Sequence, residues 1–282
     1  MRFDKYVAAG NDFIIFDGIN NPEENYNGLA LRVCDRHFGI GADGIMVCEN
    51  SSIADIKMLY YNSDGSQGEM CGNGIRCFSK YIYDHNIVKK KSISIETLAG
   101  IKYINLDTDE FDKVEKITVD MGEPVFEGLN IPTTINRDKI LEETISIDSK
   151  DYIYSAVLVG VPHVVIFVED IDEIDINDLG KKIENHPIFP KKTNVNFIKV
   201  LDKRNINIYT WERGAGRTLG CGTGSCASVV IGNVLNKLEN IVYVNTEGGN
   251  LVVELGGKHK IYMSGNATHI ANGDFLDSFN NY

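Results

Sequence analysis

Cys71-Gly72-Asn73-Gly74 and Cys221-Gly222-Thr223-Gly224 are the stretches on which the reading of this chain turns. The two Cys-Gly-x-Gly turns stand 150 residues apart, Cys71 against Cys221, and a segment of helical character follows each. The same offset recurs upstream. Gly10-Asn11-Asp12-Phe13 aligns with Gly160-Val161-Pro162-His163, and apolar runs follow both (Ile14-Ile15-Phe16; Val164-Val165-Ile166). Gly44-Ile45-Met46-Val47 aligns with Asn194-Val195-Asn196-Phe197, and Asn62 with Glu212. Past the cysteines the offset slips to 149, which sets Thr97-Leu98-Ala99-Gly100 against Thr246-Glu247-Gly248-Gly249. Chance likeness of glycine-rich turns does not preserve both order and spacing. The chain is therefore expected to hold two copies of one αβ unit.

Composition bounds the possibilities. A chain of 282 residues, 43% hydrophobic and 24% charged, is long enough for two domains with separate cores. The net charge of -12, with no basic run beyond Lys89-Lys90-Lys91, argues against a nucleic-acid partner. No apolar run reaches the length of a membrane span, and Met1-Arg2-Phe3-Asp4-Lys5-Tyr6 does not read as a signal peptide. Six scattered cysteines do not make a disulfide framework, so a reduced, cytoplasmic setting is expected.

Periodicity predicts strands around a tight turn at Ala9-Gly10-Asn11-Asp12, a helix over 27–38, and strands at 44–49 and 56–61. A long polar turn over 62–74, a helix over 75–84 and a hairpin over 92–106 follow. The second half repeats this: strands at 152–158, 164–168, 196–201 and 206–211, helices over 174–185 and 225–238, then strands at 242–245, 251–255 and 260–263. Met121-Gly122-Glu123-Pro124 breaks the pattern and is the expected junction, giving domains 1–120 and 121–264. The expected class is α+β, two pseudo-symmetric domains from internal duplication. Each is a curved mixed β-sheet or barrel wrapped around a central helix, since the helices are too few to cover a parallel sheet.

The Cys turns carry chemistry. Glycines let the backbone turn sharply and approach a ligand. Free N–H groups at the helix start favour an anion, and the positive helix end is expected to lower the pKa of a thiol seated there. Two such turns offer two carboxylate cradles and two sulfur bases. A thiol and a thiolate acting as a coupled pair can remove a proton from one face of a carbon and return it on the other. Cys34, Cys48, Cys77 and Cys226 lie in apolar patterns and read as inert core. The spacings Cys71-x5-Cys77 and Cys221-x4-Cys226 do not suit structural zinc, so no metal is expected. Neither a Cys-x-x-Cys redox motif nor a phosphate-binding Gly-Lys-[Ser/Thr] is present. Glu212 and Arg213, just before the second turn, suit an ammonium and a carboxylate. His163 is read at a turn, where it tunes a thiol or caps the backbone.

The whole chain resembles the diaminopimelate epimerases. The matching stretches are Gly10-Asn11-Asp12-Phe13, residues 35–44 (Asp-Arg-His-Phe-Gly-Ile-Gly-Ala-Asp-Gly), Asn62-Ser63-Asp64-Gly65-Ser66 and Glu69-Met70-Cys71-Gly72-Asn73-Gly74-Ile75-Arg76-Cys77. Met121 to Pro124, Pro162-His163, Thr193-Asn194, Glu212-Arg213-Gly214-Ala215-Gly216 and Cys221-Gly222-Thr223-Gly224 continue them. The resemblance implies an isomerase without pyridoxal phosphate or other cofactor, whose two domains close over an amino-acid substrate in the cleft between them. The C-terminal segment, 265–282, would return to the first domain. Cys71 and Cys221 would be the bases, and the N–H groups of Gly72, Asn73, Gly222 and Thr223 would hold the reacting carboxylate. Glu212 would meet the amine, Glu212 and His163 would tune a thiol, and Asn11, Asn62, Asn194 and Arg213 would line the pocket. A homodimer would be in keeping with the family. Two positions depart from its pattern: Val161 replaces an asparagine that helps hold the far end of the substrate, and Arg217 replaces a glutamate before Thr218. Both point to altered specificity. The expected function is a racemase of a single-centre amino acid, histidine the named candidate. Diaminopimelate epimerase is the alternative, and a non-catalytic amino-acid binding protein or a thiol redox protein are more distant ones.

Overall fold

Alternation and covered faces account for most of the strands. Arg2–Ala8 buries Asp4, Tyr6 and Ala8 and turns the residues between them outward, the period of a strand. Where both faces are covered the buried run is continuous, as over Phe13–Phe16 and Gly44–Cys48. The computed structural model describes residues 1–257 and 260–276. Along the chain it runs β1 (Arg2–Ala8), β2 (Asn11–Asp17), α1 (Tyr26–Cys34), β3 (Gly44–Glu49), β4 (Ile56–Asn62), β5 (Gln67–Gly68), α2 (Gly72–Asp84), β6 (Ser92–Thr97), β7 (Gly100–Thr108) and β8 (Val114–Gly122). There follow β9 (Ile140–Ile147), β10 (Lys150–Val159), β11 (Val161–Phe167), α3 (Ile176–Glu184), β12 (Asn194–Asp202), β13 (Asn205–Glu212), β14 (Gly216–Thr218), α4 (Gly222–Val234), β15 (Ile241–Thr246), β16 (Gly249–Leu255), β17 (Ile261–Gly265) and β18 (Thr268–Asp274). It is a mixed α/β fold, mostly sheet. Among the described residues no helix is long and apolar enough to cross a membrane.

The chain divides into two compact units. One holds Met1–Val119 and the chain from Gly265 onward; the other is Asp120–Ser264. Residues 277–282 of the expected return segment lie outside the described residues. In the first unit β1 pairs antiparallel with β2 and with β18. β2 runs parallel to β3, Phe13 opposite Gly44, and β3 antiparallel to β4, Gly44 opposite Asn62. β4 then pairs antiparallel with β5 and parallel with β6. Helix α2 is buried without a break from Gly72 to Ser79 and packs on β1, β2 and β3. A helix covered on every side is a central helix. Helix α1 buries only one face, through Leu29, Ala30, Val33 and Cys34, against Ile14, Phe16, Ile45 and Val47.

The second unit repeats these pairings. β11 runs parallel to β12, His163 opposite Asn194, and β12 antiparallel to β13. β13 pairs antiparallel with β14 and parallel with β15. Helix α4 packs on β10, β11, β12 and β16 and is buried from Gly224 to Gly232. Helix α3 buries Ile176, Leu179, Gly180 and Ile183. The repeat holds residue by residue. Phe13 opposite Gly44 corresponds to His163 opposite Asn194, both shifted by 150. Tyr60 opposite Gly68 corresponds to Thr210 opposite Thr218 at the same shift. Ile56 opposite Ile95 becomes Ile206 opposite Val244, a shift of 150 on one strand and 149 on the other. Helices α2 and α4 still differ by 150. The one-residue slip therefore falls in the connection from the Cys helix to the next strand.

The elements differ from expectation at their ends. Helix α1 stops at Cys34 rather than Phe38, because the Asp35 carboxylate accepts the N–H groups of His37 and Phe38, both at 2.7 Å, a local turn that competes with the helix. The two Cys helices begin three residues earlier than periodicity predicts, since Gly72-Asn73-Gly74 and Gly222-Thr223-Gly224 form the first turn. Strands β8 and β9 are additions to the expected set. Their outward positions carry charges such as Glu115, Lys116, Glu142 and Glu143, and β8 runs through the Met121-Gly122 break.

Candidate active site

Each Cys turn is built by its own sulfur. Cys71 is extended (φ -130°, ψ 123°) and caps α2, its Sγ accepting the Gly74 N–H at 3.4 Å. Cys221 (φ -110°, ψ 114°) caps α4 in the same way, with Sγ accepting from Gly224 N at 3.4 Å. The thiol thus takes the place usually filled by a serine or aspartate side chain. The glycine donating to each sulfur sits in a close approach. A Cβ on Gly74 would stand 1.8 Å from Met46 Cε, and one on Gly224 would stand 2.3 Å from Asn196 Oδ1.

In the first unit, Asn73 Nδ2 donates to Asn11 Oδ1 at 2.6 Å, and Asn11 Nδ2 donates to Asp43 Oδ2 at 3.0 Å. Arg76, fully buried, donates to Asn73 Oδ1 and to the Gly72 carbonyl, each at 3.0 Å. Arg36 ties Asp12 to Asp43. The Asn11 and Asn73 amides are therefore fixed in orientation within one polar chain beside Cys71. Asn62 stands at the end of β4, with Oδ1 accepting from Tyr60 OH at 2.6 Å and Nδ2 donating to Ser66 Oγ at 2.9 Å.

In the second unit, Glu212, Cys221 and Thr223 come together. Thr218 Oγ1 donates to Glu212 Oε1 at 2.6 Å, and Thr223 Oγ1 lies 3.4 Å from Cys221 Sγ. The Glu212 carboxyl reaches the Cys221 thiol. Burial pushes the Glu212 carboxyl up, against the hydrogen bonds of Thr218 and Cys221. Burial, joined by the Glu212 charge, pushes the Cys221 thiol well above its usual value, against Thr223 and the Gly224 amide. The expected lowering by the helix end is thus reversed at Cys221, because desolvation of the anion outweighs the dipole.

His163 lies inside β11, not at a turn, and is fully buried. Its Nδ1 faces the Asn196 amide nitrogen at 3.2 Å, which makes Nδ1 the acceptor and places the proton on Nε2. Burial, with the Arg213 charge, pushes its pKa down to about 3. Its contact is with Asn196; Glu212 is the charged neighbour acting on Cys221. Asn194 Oδ1 accepts from Arg213 N at 2.8 Å, and its Nδ2 donates to the Pro162 carbonyl at 2.9 Å. Arg217 is bound elsewhere: its guanidinium donates to both oxygens of Glu247, at 3.1 and 2.6 Å, and lies over Tyr209. Val161 opens β11, half-buried, at the position equivalent to Asn11. Among the described residues no His, Cys, Asp and Glu side chains group as a metal site.

Asn196, Thr218, Asp43 and Arg76 complete these surroundings, and sequence reasoning missed their roles. Asn196 carries a usable signal, a polar residue in the apolar run Val195 to Ile198. Thr218 carries none, because its role depends on the pairing of β13 with β14.

Known proteins bear on this arrangement. The family model for diaminopimelate epimerase matches residues 3–127 and 155–270. A diaminopimelate epimerase of Caldanaerobacter subterraneus is 45% identical over 97% of this chain and 99% of its own. One of Alkaliphilus metalliredigens is 45% identical over 99% of this chain and 98% of its own. Among solved structures, a probable proline racemase from Agrobacterium radiobacter superposes with a TM-score of 0.72 at 15% identity, covering 99% of this chain and 94% of that one. A hydroxyproline epimerase from Agrobacterium vitis gives 0.70 at 14% identity, covering 97% and 91%. The two structures speak for the fold, while the family model and the full-length relatives speak for descent. By the family model and these full-length relatives, the chain belongs to the diaminopimelate epimerase family of isomerases.

Proposed function

We propose that this protein inverts an amino-acid α-carbon by a two-thiol mechanism and that its substrate is diaminopimelate, taken from the LL to the meso form. The carrying observation is the repeated cap: two cysteines at equivalent positions, each with its sulfur on the amide of the third residue of a buried helix. The reacting carboxylate accepts from the N–H groups of Gly72, Asn73, Gly222 and Thr223, which also stabilise the charge that builds as the proton leaves. Glu212 meets the amine. Asn11, Asn62, Asn194 and Arg213 hold the rest of the substrate. One sulfur takes the α-proton as thiolate, and the other gives its proton to the opposite face as thiol. Each turnover therefore leaves the two sulfurs with exchanged protonation states. Cys221, pushed up by burial and Glu212, rests as the thiol, and Cys71 is the first base. The route needs no cofactor. The domains are those of the duplicated unit, 1–120 with the C-terminal segment and 121–264.

The substrate differs from the histidine expected from Val161 and Arg217. Relatives named for diaminopimelate that are 45% identical over nearly the whole chain favour the alternative. The Arg217 charge is absorbed by Glu247, which leaves Val161 as the one departure of consequence. The test is α-proton exchange in D2O followed by NMR, with LL-diaminopimelate, L-histidine and other L-amino acids offered separately. Exchange confined to diaminopimelate is the expected result. Exchange on histidine with diaminopimelate inert would overturn the substrate, and exchange on none would overturn the activity.

A further inference from the structure

The turn that carries Glu212 and Arg213 is held from below by a carboxylate on another element. Glu184, the last residue of α3, is only 4% exposed. Its Oε2 accepts from Trp211 Nε1 at 2.7 Å, and its Oε1 accepts from Gly214 N at 3.1 Å. The two bonds bracket the Glu212-Arg213 pair, one on each side. Lys192 Nζ lies 3.4 Å from Oε1, its backbone in the left-handed region (φ 59°). Helix and turn are pressed together, since a Cβ on Gly180 would stand 2.7 Å from Trp211 Cβ. Arg213 is fixed further by Asn194 Oδ1 on its N–H and by the Lys191 carbonyl at 3.2 Å on its guanidinium.

A buried carboxylate is destabilising unless fully paired, and the same molecule contains an apolar solution. The equivalent of Glu184 in the first unit is Cys34, and the equivalent of Trp211 is Tyr61; both are buried hydrophobics of one core. There the turn after β4 is held without a buried carboxylate, by an amide of α1, Asn27 Nδ2 on the Gly65 carbonyl at 2.8 Å, and within the turn by the Ser66 N–H on Asp64. The fold of the unit thus does not require the carboxylate. It accompanies the turn that bears a glutamate and an arginine.

We propose that Glu184 is a positioning residue: it fixes the Trp211–Gly214 turn, and thereby sets Glu212 against Cys221 and Arg213 beside Asn194. The inference rests on the reading above, in which Glu212 and Arg213 meet the substrate. Burial pushes the Glu184 carboxyl up, but Trp211, the Gly214 amide and Lys192 outweigh it and hold it below its ordinary range, so the charged clamp persists at neutral pH.

The test compares wild type with Glu184→Gln and Glu184→Ala in the full chain, by two readouts. The first is the pH profile of Cys221 alkylation by iodoacetamide, followed on its own peptide by mass spectrometry. With the turn released, Glu212 withdraws from the thiol and the profile moves to lower pH, by about half a unit or more. The second is kcat and KM for α-proton exchange on LL-diaminopimelate. KM rises and kcat/KM falls roughly tenfold to a hundredfold, the weight of one or two charged hydrogen bonds. A merely structural Glu184 would lower the melting temperature while leaving both readouts of the folded enzyme as in wild type. That outcome overturns the inference. Should Glu184→Ala not fold, Glu184→Gln keeps the volume and one acceptor and carries the same comparison. A wild-type enzyme inert on diaminopimelate would overturn the functional reading instead, while the alkylation profile still decides whether Glu184 holds Glu212 against Cys221.

Discussion

A carboxylate beside a buried thiol keeps that thiol protonated, because ionising the sulfur would place two negative charges together in a poorly solvated site. Glu212 stands in this relation to Cys221. Replacing it by glutamine removes the charge and lets the thiol ionise at lower pH, so Glu212→Gln should bring Cys221 alkylation to lower pH than in wild type. In the proposed mechanism the same change removes the partner of the substrate amine, and exchange should fall by about 10²- to 10⁴-fold, the range of a positioned acid or base. An unchanged profile would place the charge on Cys221 elsewhere. His163 gives a second residue-scale prediction. Its pKa is pushed down to about 3 in the folded protein, from the 6.5 of an ordinary solvated histidine. Below pH 6.5 the unfolded chain takes up a proton that the folded one refuses. Stability therefore falls as pH drops toward about 3, by up to about 1.4 kcal/mol per unit. His163→Leu should flatten this slope over roughly the first two units below the ordinary histidine pKa, read by thermal melts; equal slopes in both proteins would refute the assignment. At this scale the cysteines, Glu212 and Arg213 were legible because their neighbours in sequence are also their neighbours in space. Glu184 was not: it meets Trp211 and Gly214 across 27 and 30 residues.

The two Cys helices are elements with a shared design and different surroundings. Gly74 and Gly224 donate to the two sulfurs, yet the space above them differs. A Cβ on Gly74 meets the end of the flexible Met46 side chain, which can swing aside. A Cβ on Gly224 meets Asn196 Oδ1, and Asn196 is held by bonds to His163, the Val164 carbonyl and Thr210. Gly224→Ala should therefore cost about 1–3 kcal/mol, in the range of an overpacked core, and Gly74→Ala clearly less. Denaturant melts of the two variants check the order, and a reversed order would contradict the packing account. Sequence places the helix starts three residues late because glycine-rich turns do not show helical periodicity. A Cys cap with a glycine N–H donor three residues on is the signal that marks them.

For the whole molecule, the duplication visible in turn spacing is carried through the strand registers, down to the single-residue slip after the Cys helices. The repeat was legible because glycine positions in turns are fixed by backbone geometry. Strands β8 and β9 were not, since charges on their outer faces mask their alternation. The Arg217 departure reads differently in its surroundings for a related reason: sequence shows a charge reversed but not its pairing with Glu247. The central claim is that one thiol from each copy is needed. The direct measurement is α-proton exchange of LL-diaminopimelate in D2O with wild type, Cys71→Ser and Cys221→Ser. The account predicts fast exchange with wild type and a loss of about 10²-fold or more in each variant; exchange retained by both variants would contradict it.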